Sequence, residues 1–198
     1  MSQYYYAVAA LPMLFLESEV FPGEQEFLDH CSAWLSDADF ALLSTASLHP
    51  SFTFADRGSV LGRWYTIERA LRNELVRARA ARLHVDEEKY LAGDDAPAWL
   101  SAGDIESRAS EAFAQENPLR AEQQLDEFRW QVLDQLEVGH YFDLDKLIVY
   151  YLKLQMLVRR SAMNRETGTA LFDATYKTII DRYYNSEQDT DQEVETQT

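Results

Sequence analysis

Apolar residues recur at helical spacing through most of this 198-residue chain. From Ser59 to Leu83, the residues Val60, Trp64, Ile67, Leu71, Leu75 and Ala78 fall three or four apart, so they line one side of a helix. That register puts Arg69, Asn73 and Ala80 on the opposite side, with Arg72 and Arg79, a heptad apart, beside the stripe. Over 119–137, Leu125, Phe128, Val132, Leu133 and Leu136 share a second face. Asn117 is its expected N-cap, Pro118 fits the first turn, and Gly139 reads as the stop. Asp143 then caps a segment reading LDKLIVYYLKLQMLVRR. Here Leu147, Tyr151, Leu154 and Val158 form one stripe, while Ile148, Val149, Leu152 and Met156 cover much of the rest. A helix apolar on nearly every side belongs at the centre of a bundle. Lys153 and Gln155 interrupt it and require partners if buried, with Asp134 a candidate.

Shorter elements surround these. Phe27, Leu28, Cys31, Trp34 and Leu35 have helical spacing within 25–35. Ser36 resembles the N-cap of a helix over 37–45, with Asp39 completing an imperfect capping box. Helices are also expected over 101–114 and 165–184, the latter capped by Asn164 and striped by Leu171, Thr175 or Tyr176, and Ile179. Tyr4–Leu11 ends at Pro12 and fits either a short strand or the first turns of a buried helix. Residues 46–56 read as a loop, and 84–99, acidic with Gly93 and Pro97, as a linker. The expected fold is all-α: one helical domain over 1–185, of about two lobes (1–92 and 98–185), with a disordered acidic tail at 186–198.

Charge narrows the function. The formal net charge is −16 and the isoelectric point about 4.5, which argues against nucleic acid and anionic lipid as partners. Yet 63–83 gathers Arg63, Arg69, Arg72, Arg77, Arg79 and Arg82, a third of the eighteen basic residues. Three uses compete: pairing with the protein's own acids, an acidic face on a protein partner, or nucleic acid, which the overall field disfavours. An i, i+4 pair such as Glu68–Arg72 contributes only about 0.2–0.5 kcal/mol, so local pairing does not account for six arginines. If they meet a partner, Arg69, Arg72 and Arg79 are the expected contact ridge. Cys31 is the single cysteine, which excludes an intramolecular disulfide and suits a reducing cytoplasm. The apolar run from Tyr4 to Leu16 lacks a preceding base and is broken by Pro12, so neither a secretory signal nor a membrane span is expected.

No constellation for catalysis, a cofactor or a metal is selected. His30, His49, His84 and His140 are dispersed and form no typical zinc or di-iron set. Cys31 lies on the apolar side of its helix, where a buried structural thiol is expected. Gly58–Gly62 lacks the lysine of a phosphate loop.

Three blocks together carry a resemblance: YYYAVAALP (4–12), WYTIERALRNELVRARA (64–80) and FRWQVLDQLEVGHYFDLDKLIVYYLKLQMLVR (128–159). They resemble a bacterial family of unknown function whose genes lie among those for V-type ATPase subunits. That family is distantly similar to the C subunit of V/A-type ATPases, an all-helical socket between rotary shaft and membrane ring. LIVYYLKLQMLVRR looks like that subunit's long helix and ALRNELVRARAARL like its arginine-rich one. The resemblance spans most of the chain outside the linker and tail, and the chain is shorter than a full C subunit. It implies a non-enzymatic, C-subunit-like central-stalk connector or assembly factor. Its partners would be the shaft or membrane ring of the ATPase, and it would be cytoplasmic and peripheral to the inner membrane. The alternative is a helical small-ligand binder or enzyme with a pocket between lobes.

Overall fold

Ser59 leaves an extended backbone and its hydroxyl accepts the Gly62 N–H, starting the longest helix among the described residues. The structure, a computed structural model, describes residues 4–49, 58–93, 101–163 and 175–177. Seven helices follow in order: α1 (Tyr5–Ala9), α2 (Glu24–Ser32), α3 (Asp37–Thr45), α4 (Val60–Leu83), α5 (Ala102–Phe113), α6 (Pro118–Glu137) and α7 (Leu144–Ala162). Residues 175–177 are helical too, and no strand occurs among the described residues, so the protein is all-helical. The expected acidic tail, and all of the expected last helix except 175–177, lie outside the described residues. The chain divides into two compact units, Met1–Val158 and Arg159–Thr198. The packing below concerns the first.

Local signals set the helix ends. Ser36 Oγ accepts the Asp39 N–H at 3.2 Å and Asn117 Oδ1 the Leu119 N–H at 2.9 Å. Asp143 Oδ1 accepts the Lys146 N–H at 3.0 Å to open α7. After α6 the chain turns through Gly139 at φ +89, a left-handed value that a side chain would strain. α4 ends with His84 left-handed at φ 54 and Val85 N–H returning to Ala80 O, a Schellman-type stop. Tyr4–Leu11 resolves into the five-residue helix α1.

Every residue of α7 from Leu147 to Leu154 is buried, including Lys153. Phe27 of α2 stacks on both Tyr150 and Tyr151, at 5.2 and 5.3 Å between ring centroids. The two polar residues of α7 find the partners they require. Lys153 Nζ reaches Asp134 at 2.7 Å and also Glu137. Gln155 donates to Ala46 O at 2.9 Å and accepts the Leu48 N–H at 3.1 Å, pinning the segment after α3 to the core. α5 packs against both α4 and α6, and α2 against α3. One apolar core contains residues from α2 through α7, with Trp64, Leu133 and Leu152 fully buried.

The stripe of α4 is buried as expected from Val60 to Leu75, but its opposite face is covered as well. Asn73 is 6% exposed and Ala80 3%. Asn73 bonds Ala92 O, Gly93 O and the Ala92 N–H, so the chain beyond α4 folds back over it. A polar amide and a small alanine bury a face that apolar periodicity does not mark.

Glu68 is only 1% exposed and holds α4 to α6. Its carboxylate accepts from Arg129 Nε at 3.0 Å and Arg129 Nη2 at 3.1 Å, a two-pronged pair, and from Arg72 Nε at 3.0 Å. Asp126 takes the remaining side of Arg129 at 3.3 Å. Burial alone would lower the Arg129 pKa, but Glu68, Asp126 and Glu122 raise it above the ordinary value, so it stays charged. Glu68→Ala should lower unfolding free energy by about 3–5 kcal/mol, because Arg129 is left buried without its main partner. Replacing Glu68 and Arg129 by Met and Asp126 by Leu together, so that no buried charge of the cluster is left without its partner, should cost less than that single change, as chemical denaturation would measure.

Candidate functional site

The arginine-rich helix is largely turned to internal use. Arg72 bonds Glu68 and donates to Leu48 O at 3.2 Å. Arg77 pairs with Glu74 and lies 3.9 Å from Glu87. Arg82 sits over the Phe113 ring of α5 at 5.8 Å. The Arg69 guanidinium lies against Gly93, where an added Cβ would meet its Nη1 at 3.5 Å. Of the expected ridge, Arg79 is exposed, Arg69 is half-buried and Arg72 is committed to the α4–α6 tie.

A different surface stands open. Tyr4 and Ala7 are the buried residues of the α1 region, at 8% and 0% exposure, while Tyr5 and Tyr6 face outward at 55% and 68%. Trp34, which has helical spacing with Phe27 and Cys31, lies beyond the end of α2 at Ser32 and is half-exposed. Tyr6 stacks on Trp34 at 5.5 Å, Tyr5 meets Tyr6 edge-on at 5.7 Å, and Tyr5 lies 4.7 Å from Phe142, itself 40% exposed. Four rings thus run from the end of α2, over α1, to the turn before α7.

This row is held from below by polar contacts. Tyr4 N–H donates to Phe142 O at 2.5 Å, and His30 Nε2 donates to Ala7 O at 3.0 Å. The Tyr4 hydroxyl donates to Asp39, whose own N–H is held by Ser36. The surroundings are acidic: residues 4–49 hold seven Asp and Glu and no Lys or Arg. Glu17, Glu19, Glu26, Asp29 and Asp37 are all exposed.

Two further clusters carry ionisable groups. Beside a cavity of ≈ 180 Å³ lined by Leu11, Met13, Leu14 and Tyr150, Glu137 bridges Lys146 and Lys153. Its charge lies between those of the two lysines, and Lys153 also faces the Trp130 ring at 5.4 Å. On the α6–α7 turn, His140 Nδ1 donates to Asp143 Oδ2 at 2.7 Å and lies 3.6 Å from Asp145 Oδ2. These three groups come within 4.8 Å of one another, close enough to share a cation, although sequence spacing had not singled them out. Each also has a structural use: Asp143 caps α7, His140 bonds Asp143, and Asp145 bonds the backbone of Val60. Burial, aided by Asp143 and opposed by His140 and Arg63, holds the Asp145 carboxyl above its ordinary pKa. Cys31 is fully buried and burial pushes its thiol up to about 12, the state of an inert structural cysteine.

A model of a family described as "protein of unknown function" (DUF2764) matches residues 107–186. No curated protein and no solved structure matches the chain. The matched stretch includes α6, α7 and the block 128–159, hence Arg129, Glu137, Phe142 and Lys153. Glu68, Tyr5, Tyr6 and Trp34 lie before it. Both the buried ion cluster and the ring row therefore join residues inside the matched stretch to residues outside it.

Burial alone would raise the Glu137 carboxyl, but the bonds and charges of Lys146 and Lys153 outweigh it and hold it below the ordinary 4.5. With the folded value below the unfolded one, this stabilisation is complete above about pH 4.5 and is lost as pH falls through the folded value. Glu137→Gln should therefore lower stability by about 1–2 kcal/mol at neutral pH. The deficit should shrink in acid, as thermal melts across pH would record.

Proposed function

We propose that this protein is a non-catalytic subunit or assembly factor of a bacterial V-type rotary ATPase, a C-subunit-like connector of its central stalk. The observation that carries this reading is the exposed ring row on an all-helical body whose buried charges, Glu68, Asp126, Arg129 and Lys153, are held in ion pairs. A chain that leaves stacked aromatics at its surface offers a contact surface to another polypeptide. The three sequence blocks supply the direction: they resemble a family encoded among V-type ATPase genes and, more distantly, the C subunit with its bundled lobes. The matched family of unknown function overlaps the third block.

In this reading the partners are the shaft or the membrane ring, and the protein sits at the cytoplasmic side of the inner membrane through the complex. No helix among the described residues is long and apolar enough to cross a membrane. Arg79 remains a candidate contact, while Arg72 serves the fold.

Affinity capture from solubilised membranes with tagged ATPase subunits should enrich this protein; absence of enrichment above an untagged control would remove the assignment. Within that assay, Arg79→Glu should reduce capture at an unchanged melting temperature. Arg72→Glu should lower the melting temperature itself, because it places a second carboxylate beside Glu68.

A further inference from the structure

The surface most in need of an occupant is the ring row Trp34–Tyr6–Tyr5–Phe142. We propose that it docks a basic amphipathic helix of a partner protein, whose Lys and Arg side chains meet the ring faces and the acids around them. This names the partner chemistry of the contact surface described above and rests on reading it as one, but not on the ATPase assignment.

Three observations select that occupant. The first is charge: residues 4–49 contribute seven acids and no Lys or Arg, so the field over α1, α2 and α3 attracts cations and repels phosphate and anionic lipid. The second is ring chemistry. Tyr6 and Trp34 cover one face of each other by stacking, and the Tyr and Trp faces left open carry negative quadrupoles that favour guanidinium and ammonium groups, while their apolar bodies accept Leu-type side chains. The third is spacing. Successive ring centroids lie 5.5, 5.7 and 4.7 Å apart, close to the roughly 5.4 Å rise of one helical turn. Side chains one turn apart on a single helix can therefore reach neighbouring rings.

A second copy of this chain fits less well. It carries the same net charge of −16, and Arg72, Arg77 and Arg82 of its basic helix are engaged within its own fold. The surface is also prepared in advance: the Tyr4–Phe142 and His30–Ala7 bonds fix α1 beneath the rings, so little order need be gained on binding.

The test uses the full chain and a fluorescein-labelled helical peptide of Leu, Ala and Lys, with a second peptide carrying Glu in place of Lys. Fluorescence anisotropy should show saturable binding of the Lys peptide, weakened by salt, and none of the Glu peptide. Tyr6→Ser with Trp34→Ser should reduce affinity at least about tenfold. Net charge is unchanged by these substitutions, and the replaced rings are exposed, so circular dichroism melts should coincide with the parent. If the pair perturbs folding, Tyr6→Ser alone, at 68% exposure, repeats the comparison. Equal affinity of parent and variant would mean that charge alone holds the peptide, and would overturn the proposal. So would equal binding of the Glu peptide. A dimer seen by light scattering that disappears with the ring substitutions, while peptide affinity does not change, would assign the surface to self-association instead. The two readings separate cleanly. Peptide binding without capture of ATPase subunits removes the assignment and leaves the docking surface. Capture of ATPase subunits without saturable binding of the Lys peptide does the reverse.

Discussion

A carboxylate removed from water between two helices constrains everything around it. Glu68 is buried at the α4–α6 contact, where desolvation is tolerable only with its acceptor sites filled. Arg129 fills two positions from α6, and Arg72 a third from one turn along α4. Arg72 then extends the tie to Leu48 O, beyond the end of α3. The register of α4 against α6 is thereby fixed by directional bonds, whereas apolar stripes alone tolerate sliding. The same cluster answers why an acidic protein concentrates arginine in one helix. Arg72, Arg77 and Arg82 connect α4 to a buried acid, to the turn that follows it, and to α5.

The long helices were readable because their apolar spacing persists over many turns. α4, α6 and α7 fall within a residue or two of the expected limits, and the caps Ser36, Ser59, Asn117 and Asp143 mark where unpaired N–H groups need acceptors. Lys153 and Gln155 were legible for a related reason. A polar residue inside an all-round apolar helix has no solvent side, so a partner is demanded, and Asp134, Glu137 and Ala46 supply it.

What stayed hidden depends on geometry that periodicity does not encode. Asn73 is buried by chain returning over α4, a tertiary event with no local hydrophobic mark. Glu68 and Arg129 are 61 positions apart, and nothing in either neighbourhood distinguishes them from surface charges. The ring row was missed because Tyr4, Tyr5 and Tyr6 enter a helix of five residues, too short to define a period. Only the bonds of Tyr4 to Phe142 and Asp39 decide that the first tyrosine turns inward and the next two outward. His140 and Asp143, by contrast, stand three apart in the sequence, a spacing open to inspection but common in helix-capping turns.

The distribution of charge ties these observations to function. Acids without a Lys or Arg among them occupy residues 4–49, while bases concentrate in α4, where Arg72 and Arg77 pair with Glu68, Glu74 and Glu87. Internal pairing on one side therefore leaves the N-terminal surface uncompensated on the other. Stacked rings within that surface are not a packing defect of a small core, since Ala7 of the same helix is fully buried and its carbonyl is bonded by His30. A well-packed base that keeps aromatics exposed and fixed retains apolar area that water would otherwise force together. Such area becomes useful when a second polypeptide covers it, and the sign of the surrounding field then selects which polypeptide that is.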